Sequence, residues 1–397
     1  MQHSLQKQAL GFTARTVALA LTAVVAAHGT AAAQGSRADE IALLQADKAT
    51  RLRPPERTAG ERVIARVQQI VASTGTVYPW LGSIYPGGLL GVGAGFRHSF
   101  ADTGVVSAMG GWSLKNFKVA RAELKVPALA DRRIVLTTSA EWLDAPAVAF
   151  YGLGNDSTRS RDTFPYSPAS VGVMATVRLA EQVVAGAGLG HLGIGSDQGT
   201  TGPRLAPGLG SDVTYTVGRA SLAVDWRDSP GYSRRGGLYR FEWAPHQDRG
   251  QAGYGFRQIE AEVAQLLPLF RGSSIVALRG LVTTTEARDG ETVPVFMMPA
   301  LGGGSTLRGY PSWRFRDRHR LLLSAEYRWT PSQVVDMALF VDGGKVAAER
   351  RALGLRGLHT NYGVGIRLHG PTFTALRLDL AMGREGWVIN MGAGAPF

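Results

Sequence analysis

The chain has 397 residues, a hydrophobic fraction of 45%, 51 glycines and a formal net charge of +12. It has no cysteine, which excludes disulfides, and no stretch after the N-terminal segment has the roughly 18 consecutive apolar residues of a membrane-spanning helix. The positive charge indicates basic solvated surfaces or an acidic partner such as lipid phosphates, and no motif indicates nucleic acid.

The first 33 residues have the three parts of a secretory signal peptide. Lys7 and Arg15 precede a short apolar run at 17–27, and the small residues 31–33 give an A-x-A cleavage pattern. The run is too short to span a bilayer as a helix, which takes about 20 residues. We therefore predict an exported protein whose mature chain begins near Gln34.

Residues 34–77 differ in composition from the rest of the chain. They contain a basic, proline-containing linker, followed by a segment at 61–71 whose apolar residues recur with helical spacing. We predict an N-terminal tail with one short helix, or a helical plug. The predicted organisation is thus a signal peptide at 1–33, a tail at 34–77 and a single β-domain at 78–397.

From about residue 88 the apolar residues recur at every second position. Leu376, Leu378 and Leu380, for example, alternate with Arg377 and Asp379. Because successive side chains of a strand point to opposite faces, each such segment has one apolar face and one polar or small face. Sixteen strands are predicted, at 88–98, 104–113, 116–126, 132–143, 146–151, 166–179, 182–193, 214–226, 236–245, 253–267, 274–285, 320–328, 333–343, 360–369, 373–382 and 387–395.

A soluble β-sandwich also alternates, and three further features favour a membrane barrel. The polar faces carry charged residues and glycine, as a water-filled lumen would, and the alternation reaches the last residue, where Trp387, Ile389, Met391 and Phe397 share one face. Tryptophans lie at strand ends, as interfacial girdles require, at Trp112, Trp142, Trp226, Trp243, Trp313, Trp329 and Trp387. Because lipid cannot satisfy an open sheet edge, we predict an all-β fold, a 16-stranded antiparallel transmembrane β-barrel.

No pattern indicates catalysis, a cofactor or a metal. Two glycine runs, at 91–95 and 186–190, resemble nucleotide-binding loops, but neither opens a helix, and glycine on lumen-facing positions explains both. The zinc motif HExxH and the nucleophile motif GxSxG are absent, and the eight histidines are scattered. We therefore expect no enzyme and no cofactor, and we assign no catalytic, cofactor-binding or metal-binding residue.

The longest predicted connection, at 286–319 between strands eleven and twelve, carries a candidate site. Its small residues, followed by an Arg-Gly-aromatic tip, suit a hairpin folded into the barrel. A lumen arginine there needs a carboxylate partner, because an unpaired buried charge is costly. The alternation of the next two strands turns Glu326 and Asp342 inward, so both can meet Arg308 in a charge-assisted fork. The predicted loop cluster comprises Gly302, Gly303, Arg308, Gly309, Tyr310, Glu326 and Asp342.

Several motifs of the predicted barrel occur together in a specific order. They are F-Y-G-L-G at 150–154, D-W-R-D-S-P at 225–230 with R-G-G at 235–237, L-R-G-Y at 307–310, E-Y-R at 326–328 and F-V-D-G-G at 340–344. In this order they resemble the BamA/TamA superfamily of outer-membrane proteins, also called the bacterial surface antigen family. The resemblance implies a sixteen-stranded barrel in the outer membrane of a Gram-negative bacterium, with a weak seam between its first and last strands. It also implies that Arg308 is the lumen arginine of the sixth loop and that Glu326 and Asp342 are its partners. Phe397 is predicted to be a C-terminal membrane-insertion signal.

The resemblance also carries an expectation of function. Members that insert or secrete proteins usually have periplasmic POTRA domains, and residues 34–77 are too short for one and lack its β-α-α-β-β pattern. We expect a barrel-only member that assists the insertion or translocation of outer-membrane proteins or lipids. Its expected partners are outer-membrane lipids and, by resemblance, nascent outer-membrane proteins or the barrel assembly machinery. The alternative is a passive pore or structural barrel plugged by its own loop, in which the Arg308 cluster is only a clamp.

Overall fold

The computed structural model describes residues 76–126, 129–130, 133–195, 206–270, 273–394 and 397. The predicted signal peptide and the predicted helix of the tail lie outside these residues. No helix within the described ranges is long and apolar enough to cross a membrane.

Sixteen long strands and one pair of very short strands make up the described fold. The strands are β1 (Val77–Ser83), β2 (Leu90–Phe100), β3 (Gly104–Ser113), β4 (Lys118–Lys125), β5 (Ile134–Phe150), β6 (Asp162–Ala180), β7 (Val183–Gly195), β8 (Val213–Asp225), β9 (Gly236–Asp248), β10 (Phe256–Leu269), β11 (Ser274–Ala287), β12 (Ala300–Leu301), β13 (Phe315–Arg316), β14 (His319–Ser332), β15 (Val335–Ala347), β16 (His359–His369), β17 (Thr374–Gly383) and β18 (Gly386–Gly392). Single 3₁₀ turns lie at Val295–Met297 and Arg350–Ala352.

The sixteen long strands form one antiparallel sheet in which every strand pairs with its neighbour in the chain. The order runs from β1 to β11, continues with β14 and ends at β18, while β12 and β13 pair only with each other. The sheet is a nearly closed barrel, and among the described strands no ladder joins β1 to β18. The predicted all-β, sixteen-stranded antiparallel barrel is therefore confirmed.

Two of the predicted strands were wrong, although the total was right. The segments predicted at 132–143 and 146–151 are one strand, β5, whose register with β6 shifts between Ala145 and Val148. Pro146 interrupts the alternation there, and a bulge lets one strand continue past it. The prediction also missed β1, which begins at Val77 and contains Pro79. Counting β5 as two strands added one to the total, and missing β1 removed one, so the predicted number was still sixteen.

The two faces of the sheet differ as the alternation predicted. On β16 and β17 the apolar side chains, such as Val364 and Leu378, are 49% and 44% exposed, whereas Arg367 and Asp379 on the opposite face are 2% and 0% exposed. We call these the apolar face and the polar face. An exposed apolar band on the outside of a barrel is the surface that lipid covers.

Phe397 is an exception to the predicted pattern. Trp387, Ile389 and Met391 of β18 are exposed on the apolar face, but β18 ends at Gly392. Phe397 instead packs against buried Leu266, Ile275 and Ala277. The guanidinium groups of two arginines, Arg279 and Arg328, lie 5.7 and 5.6 Å from its ring centroid. The prediction that Phe397 shares a face with Trp387 was therefore wrong, because the chain leaves the sheet before it reaches the last residue.

The connections at the two ends of the barrel differ in length. At one end, here called the loop end, are the connection between β11 and β14 at 288–318, those at 151–161, 196–212 and 348–358, and four shorter ones. The opposite end, here called the turn end, has mostly short connections, such as those at 181–182 and 333–334. In outer-membrane barrels the short turns are generally periplasmic and the long loops extracellular.

Candidate functional site

The long connection between β11 and β14 contains a tight hairpin around the L-R-G-Y motif. Gly302 and Gly303 have φ of 115° and 89°, a left-handed conformation that glycine adopts without steric cost. The amide of Gly303 donates to the carbonyl of Tyr310 at 2.9 Å, and the Thr306 hydroxyl bridges the amide and the carbonyl of Gly302. The two glycines therefore reverse the chain and bring Arg308 to the tip of the hairpin.

Arg308 lies against the polar face of β14 and β15. Its Nη1 donates to Glu326 Oε2 at 2.5 Å, and its Nε and Nη2 donate to the two carboxylate oxygens of Asp342 at 2.9 and 2.8 Å. The guanidinium carbon also lies 3.4 Å from the ring centroid of Phe340. The structure thus brings together the three charged residues singled out from the sequence, in a bidentate, charge-assisted arrangement.

This cluster is dry. The side chain of Arg308 is 2% exposed and those of Glu326 and Asp342 are 0% exposed. Burial lowers the pKa of Arg308, but the hydrogen bond with Asp342 and the charges of both carboxylates outweigh burial and hold this pKa above its usual value. Arg308 therefore remains charged. A buried guanidinium charge is stable here only because the carboxylates of Glu326 and Asp342 are both present.

The charged network extends beyond these three residues. Glu326 also accepts hydrogen bonds from Arg328 at 2.7 Å and Arg367 at 3.1 Å, and Arg367 donates to Asp379 at 2.6 Å. Arg377 Nε lies 3.3 Å from Asp379. Three carboxylates and three arginines on β14 to β17 thus form one charged network with Arg308 of the hairpin. The alternation had already put Arg367, Arg377 and Asp379 on the polar face, but sequence alone could not show which neighbouring strands bring them together.

The same hairpin is bonded to the last strands of the sheet. Asn390 of β18 donates to the carbonyl of Arg308 at 2.8 Å, and Arg377 donates to that of Gly304 at 2.9 Å. Asn361 of β16 donates to Asp342 at 2.8 Å. The hairpin therefore holds β17 and β18 as well as the two strands that carry its acids, and Asp342 links the cluster to β16.

Gly309 explains why the motif needs a small residue after the arginine. A Cβ atom at this position would lie 2.5 Å from the Cβ of Asn361 and 2.8 Å from the backbone nitrogen of Gly383. Neither atom is the end of a flexible side chain, so an added methyl group would push the hairpin away from the sheet.

We therefore expect Gly309→Ala to lower the free energy of unfolding by about 1–3 kcal/mol, the usual cost of overpacking. Chemical denaturation in detergent micelles would measure it. Gly354→Ala is the matched control, because a Cβ there meets nothing within 4 Å. Equal stabilities of the two variants would show that the hairpin does not depend on this close approach.

Apolar packing fixes the rest of the hairpin. Leu301, Leu307, Tyr310 and Phe315 are buried with residues of β11, β14 and β15 in one cluster. The hydroxyl of Tyr310 donates to the carbonyl of Thr360 at 3.3 Å. Arg308, Gly309 and Tyr310 are therefore in contact with the strands of the barrel, whereas Gly303 contacts Tyr310 and Ser312 within the same connection.

The polar face of β4 to β10 is organised differently from that of β14 to β18. Near the loop end, residues of β4 to β8 and β10 form an apolar cluster with the 3₁₀ turn at 295–297. Further along β6 to β8 the polar face is lined by Gly172, Gly188 and Gly190 beside Arg219, and a cavity of about 220 Å³ remains there. Arg219 pairs with Glu242 at 3.1 Å. This half of the polar face thus has free space, while the other half is covered by the hairpin.

Within the described ranges, no group of three or more histidine, aspartate, glutamate or cysteine side chains is arranged to hold a metal ion. Trp313, which the sequence placed in an interfacial girdle, belongs to the long connection and stacks on Tyr85 at a centroid distance of 5.2 Å. The girdle assignment of Trp313 was wrong, because Trp313 does not lie at a strand end and packs against the buried apolar cluster near the loop end.

The greater part of the described sheet, together with the long connection between β11 and β14, matches a known family. The Omp85 superfamily domain matches residues 149–395, which is more than half of the chain. The chain belongs to the Omp85 superfamily. This agrees with the resemblance seen in the motifs and, at family level, with an outer-membrane β-barrel.

Solved structures support the same fold. BamA from Haemophilus ducreyi lacking POTRA domains 1–3 is similar with a TM-score of 0.60 and 13% identity, over 80% of this chain and 69% of that one. CdiB from Acinetobacter baumannii is similar with a TM-score of 0.50 and 11% identity, over 80% of this chain. The chain spans 56% of the length of CdiB. None of the curated proteins matches.

Proposed function

We propose that this Omp85 barrel assists the insertion or translocation of proteins or lipids at the outer membrane, and that it acts at the seam between β1 and β18. The observation that carries the proposal is the open edge itself. Every other neighbouring pair of long strands is joined by a ladder, and the two ends of the described sheet are not.

An open edge inside a membrane is energetically unfavourable. Lipid offers no partner for the unpaired N–H and C=O groups of an edge strand, so barrels normally close completely. Pro79 in β1 lacks an N–H group, and β18 contains no proline between Gly386 and Gly392. The two edges therefore differ in their capacity to pair, and β18 offers the fuller row of donors to a strand from another chain.

The wall of the barrel is also shortest at the seam. β1 and β18 have 7 residues each, whereas β6 has 19. Membrane-spanning strands need about 9–11 residues. The lipid next to the seam would therefore have to thin, which lowers the barrier for an inserting hairpin.

The expected partners follow from this site. Outer-membrane lipids would cover the exposed apolar side chains of both edge strands, among them Leu81 and Ile389. An unfolded outer-membrane protein could pair with an edge, and the barrel assembly machinery could deliver it. We propose these partners on the basis of the family.

A passive, loop-plugged barrel is the second candidate, and the burial of the Arg308 hairpin favours it. A hairpin hydrogen-bonded to six strands, β11 and β14 to β18, is a stable plug. In that case the charged cluster would serve only to keep the lumen closed.

The experiment that separates the two candidates uses the full chain in vesicles. An outer-membrane β-barrel client is diluted from urea into vesicles with and without the protein, and its folding is followed by its heat-dependent gel mobility. We expect faster client folding in the presence of the protein than in protein-free vesicles or vesicles holding an unrelated closed barrel. Unchanged folding, together with steady single-channel conductance in planar bilayers, would favour the plugged pore.

A further inference from the structure

Two consecutive residues of the long connection reach opposite sides of the seam. Trp313 contacts the connection between β1 and β2, and Arg314 contacts the turn between β17 and β18. Both contacts lie at the loop end of the barrel. The strands on the two sides of the seam are thus linked through one segment of the chain, although no ladder joins them.

On the β1 side the link combines a hydrogen bond with ring stacking. The indole Nε1 of Trp313 donates to the carbonyl of Pro86 at 2.9 Å, and its ring stacks on Tyr85 at an interplanar angle of 25°. Burial raises the pKa of Tyr85 to about 12 and outweighs the opposing charge of Arg316, so Tyr85 is neutral. Trp313 has a φ of 67°, a strained conformation for a bulky residue, which persists only where surrounding contacts enforce it.

On the β18 side the link is a buried ion pair. Arg314 Nε lies 2.9 Å from both carboxylate oxygens of Glu385, and Nη2 lies 2.7 Å from Oε1. The side chain of Arg314 is 3% exposed and that of Glu385 is 17% exposed. Arg314 also donates to the hydroxyl and the carbonyl of Ser157, at 2.8 and 3.0 Å. A charge-assisted pair shielded from water is far less screened than one on the surface.

We propose that Trp313 and Arg314 form a staple that holds the two sides of the seam together at the loop end, so that the seam opens from the turn end. At the turn end the described residues show no comparable link. Among the described residues, Val77–Pro79 of β1 and Asn390–Gly392 of β18 share no hydrogen bond or ion pair. The function of the staple rests on the proposed role of the seam. Its contacts, however, can be tested without any client protein.

The staple is connected to the Arg308 cluster through the chain. Both belong to the segment 300–316, whose two ends are paired as β12 and β13. A movement that frees the hairpin from β14 and β15 would therefore also pull on the staple. The hairpin would act on the seam through Trp313 and Arg314, which makes them positioning residues.

Distances between spin labels test the staple without a client. The chain has no cysteine, so introduced cysteines are the only labelling sites. One pair, Leu81→Cys with Trp387→Cys, reports the loop end of the seam, and Val77→Cys with Met391→Cys reports the turn end. All four side chains are exposed on the apolar face. Each pair is measured by double electron–electron resonance in the otherwise unchanged protein and in Trp313→Ala, Arg314→Ala and Glu385→Gln backgrounds.

We expect a narrow distance distribution at the loop end and a broad one at the turn end. Each of the three substitutions should broaden the loop-end distribution, and Arg384→Ala, which changes an exposed arginine in the same turn, should not. If Arg314→Ala does not fold, as judged by heat-dependent gel mobility, Glu385→Gln removes the same ion pair from its more exposed partner. A loop-end distribution that stays narrow in Trp313→Ala and Glu385→Gln, or that is as broad as the turn end in the parent, would overturn the proposal. Because no client is present, this result is independent of the vesicle folding assay.

Discussion

Arg308→Ala is expected to destabilise the barrel by about 3–5 kcal/mol, the cost of breaking a buried ion pair by removing one partner. The substitution leaves Asp342 without a cation within 4 Å among the described residues, whereas Glu326 keeps Arg328 and Arg367. The unpaired carboxylate of Asp342 would be the main source of the loss. The hairpin should then leave the polar face of β14 and β15.

Two measurements check this expectation. Urea unfolding of the protein in lipid vesicles should show a lower midpoint, and limited proteolysis should find new cleavage near residues 300–315. Arg356→Ala is the control, because Arg356 is exposed in another connection at the same end. The control should leave both stability and cleavage unchanged.

A double-mutant cycle with Asp342→Ala separates pairing from general damage. Both substitutions remove the same interaction, so the double variant should lose much less stability than the sum of the two single losses. Additive losses, with no new cleavage in Arg308→Ala, would show that Arg308 and Asp342 do not act as a pair. The ion pair between Arg308 and Asp342 would then not be what holds the hairpin in the barrel.

Much of this cluster could be predicted from the sequence, because alternate residues of a strand lie on opposite faces of the sheet. Once β14 and β15 were identified, Glu326 and Asp342 had to lie on the face opposite their apolar neighbours. A buried arginine needs carboxylate partners, and these two acids were available on that face. The larger network could not be predicted in the same way. Which of Arg328, Arg367 and Asp379 meet depends on the register between neighbouring strands, which no local pattern specifies.

The two errors in the predicted strands have a common physical cause. Proline weakens the alternation signal without ending a strand, so β5 was divided at Pro146 and β1, with Pro79, was overlooked. Trp313 and Phe397 were assigned by their residue type to the lipid boundary and the sheet. In the structure both pack against residues distant in sequence, Tyr85 and Ile275, and such contacts depend on the closed shape of the barrel.

The seam carries the second large expected effect. If a client strand enters between β1 and β18, joining these strands covalently should stop assisted insertion completely. Leu81→Cys and Trp387→Cys give the only two thiols in the chain, and a cleavable bis-maleimide can bridge them without requiring disulfide geometry. Leu380→Cys with Ile389→Cys is the matched control, because β17 and β18 already pair at these positions.

The decisive measurement is the rate of client folding in vesicles before bridging, after bridging, and after cleavage of the bridge. We expect that bridging the seam lowers the rate to that of protein-free vesicles, that cleavage restores it, and that bridging Leu380→Cys to Ile389→Cys has no effect. A barrel that accelerates client folding equally well with its seam bridged would contradict the account.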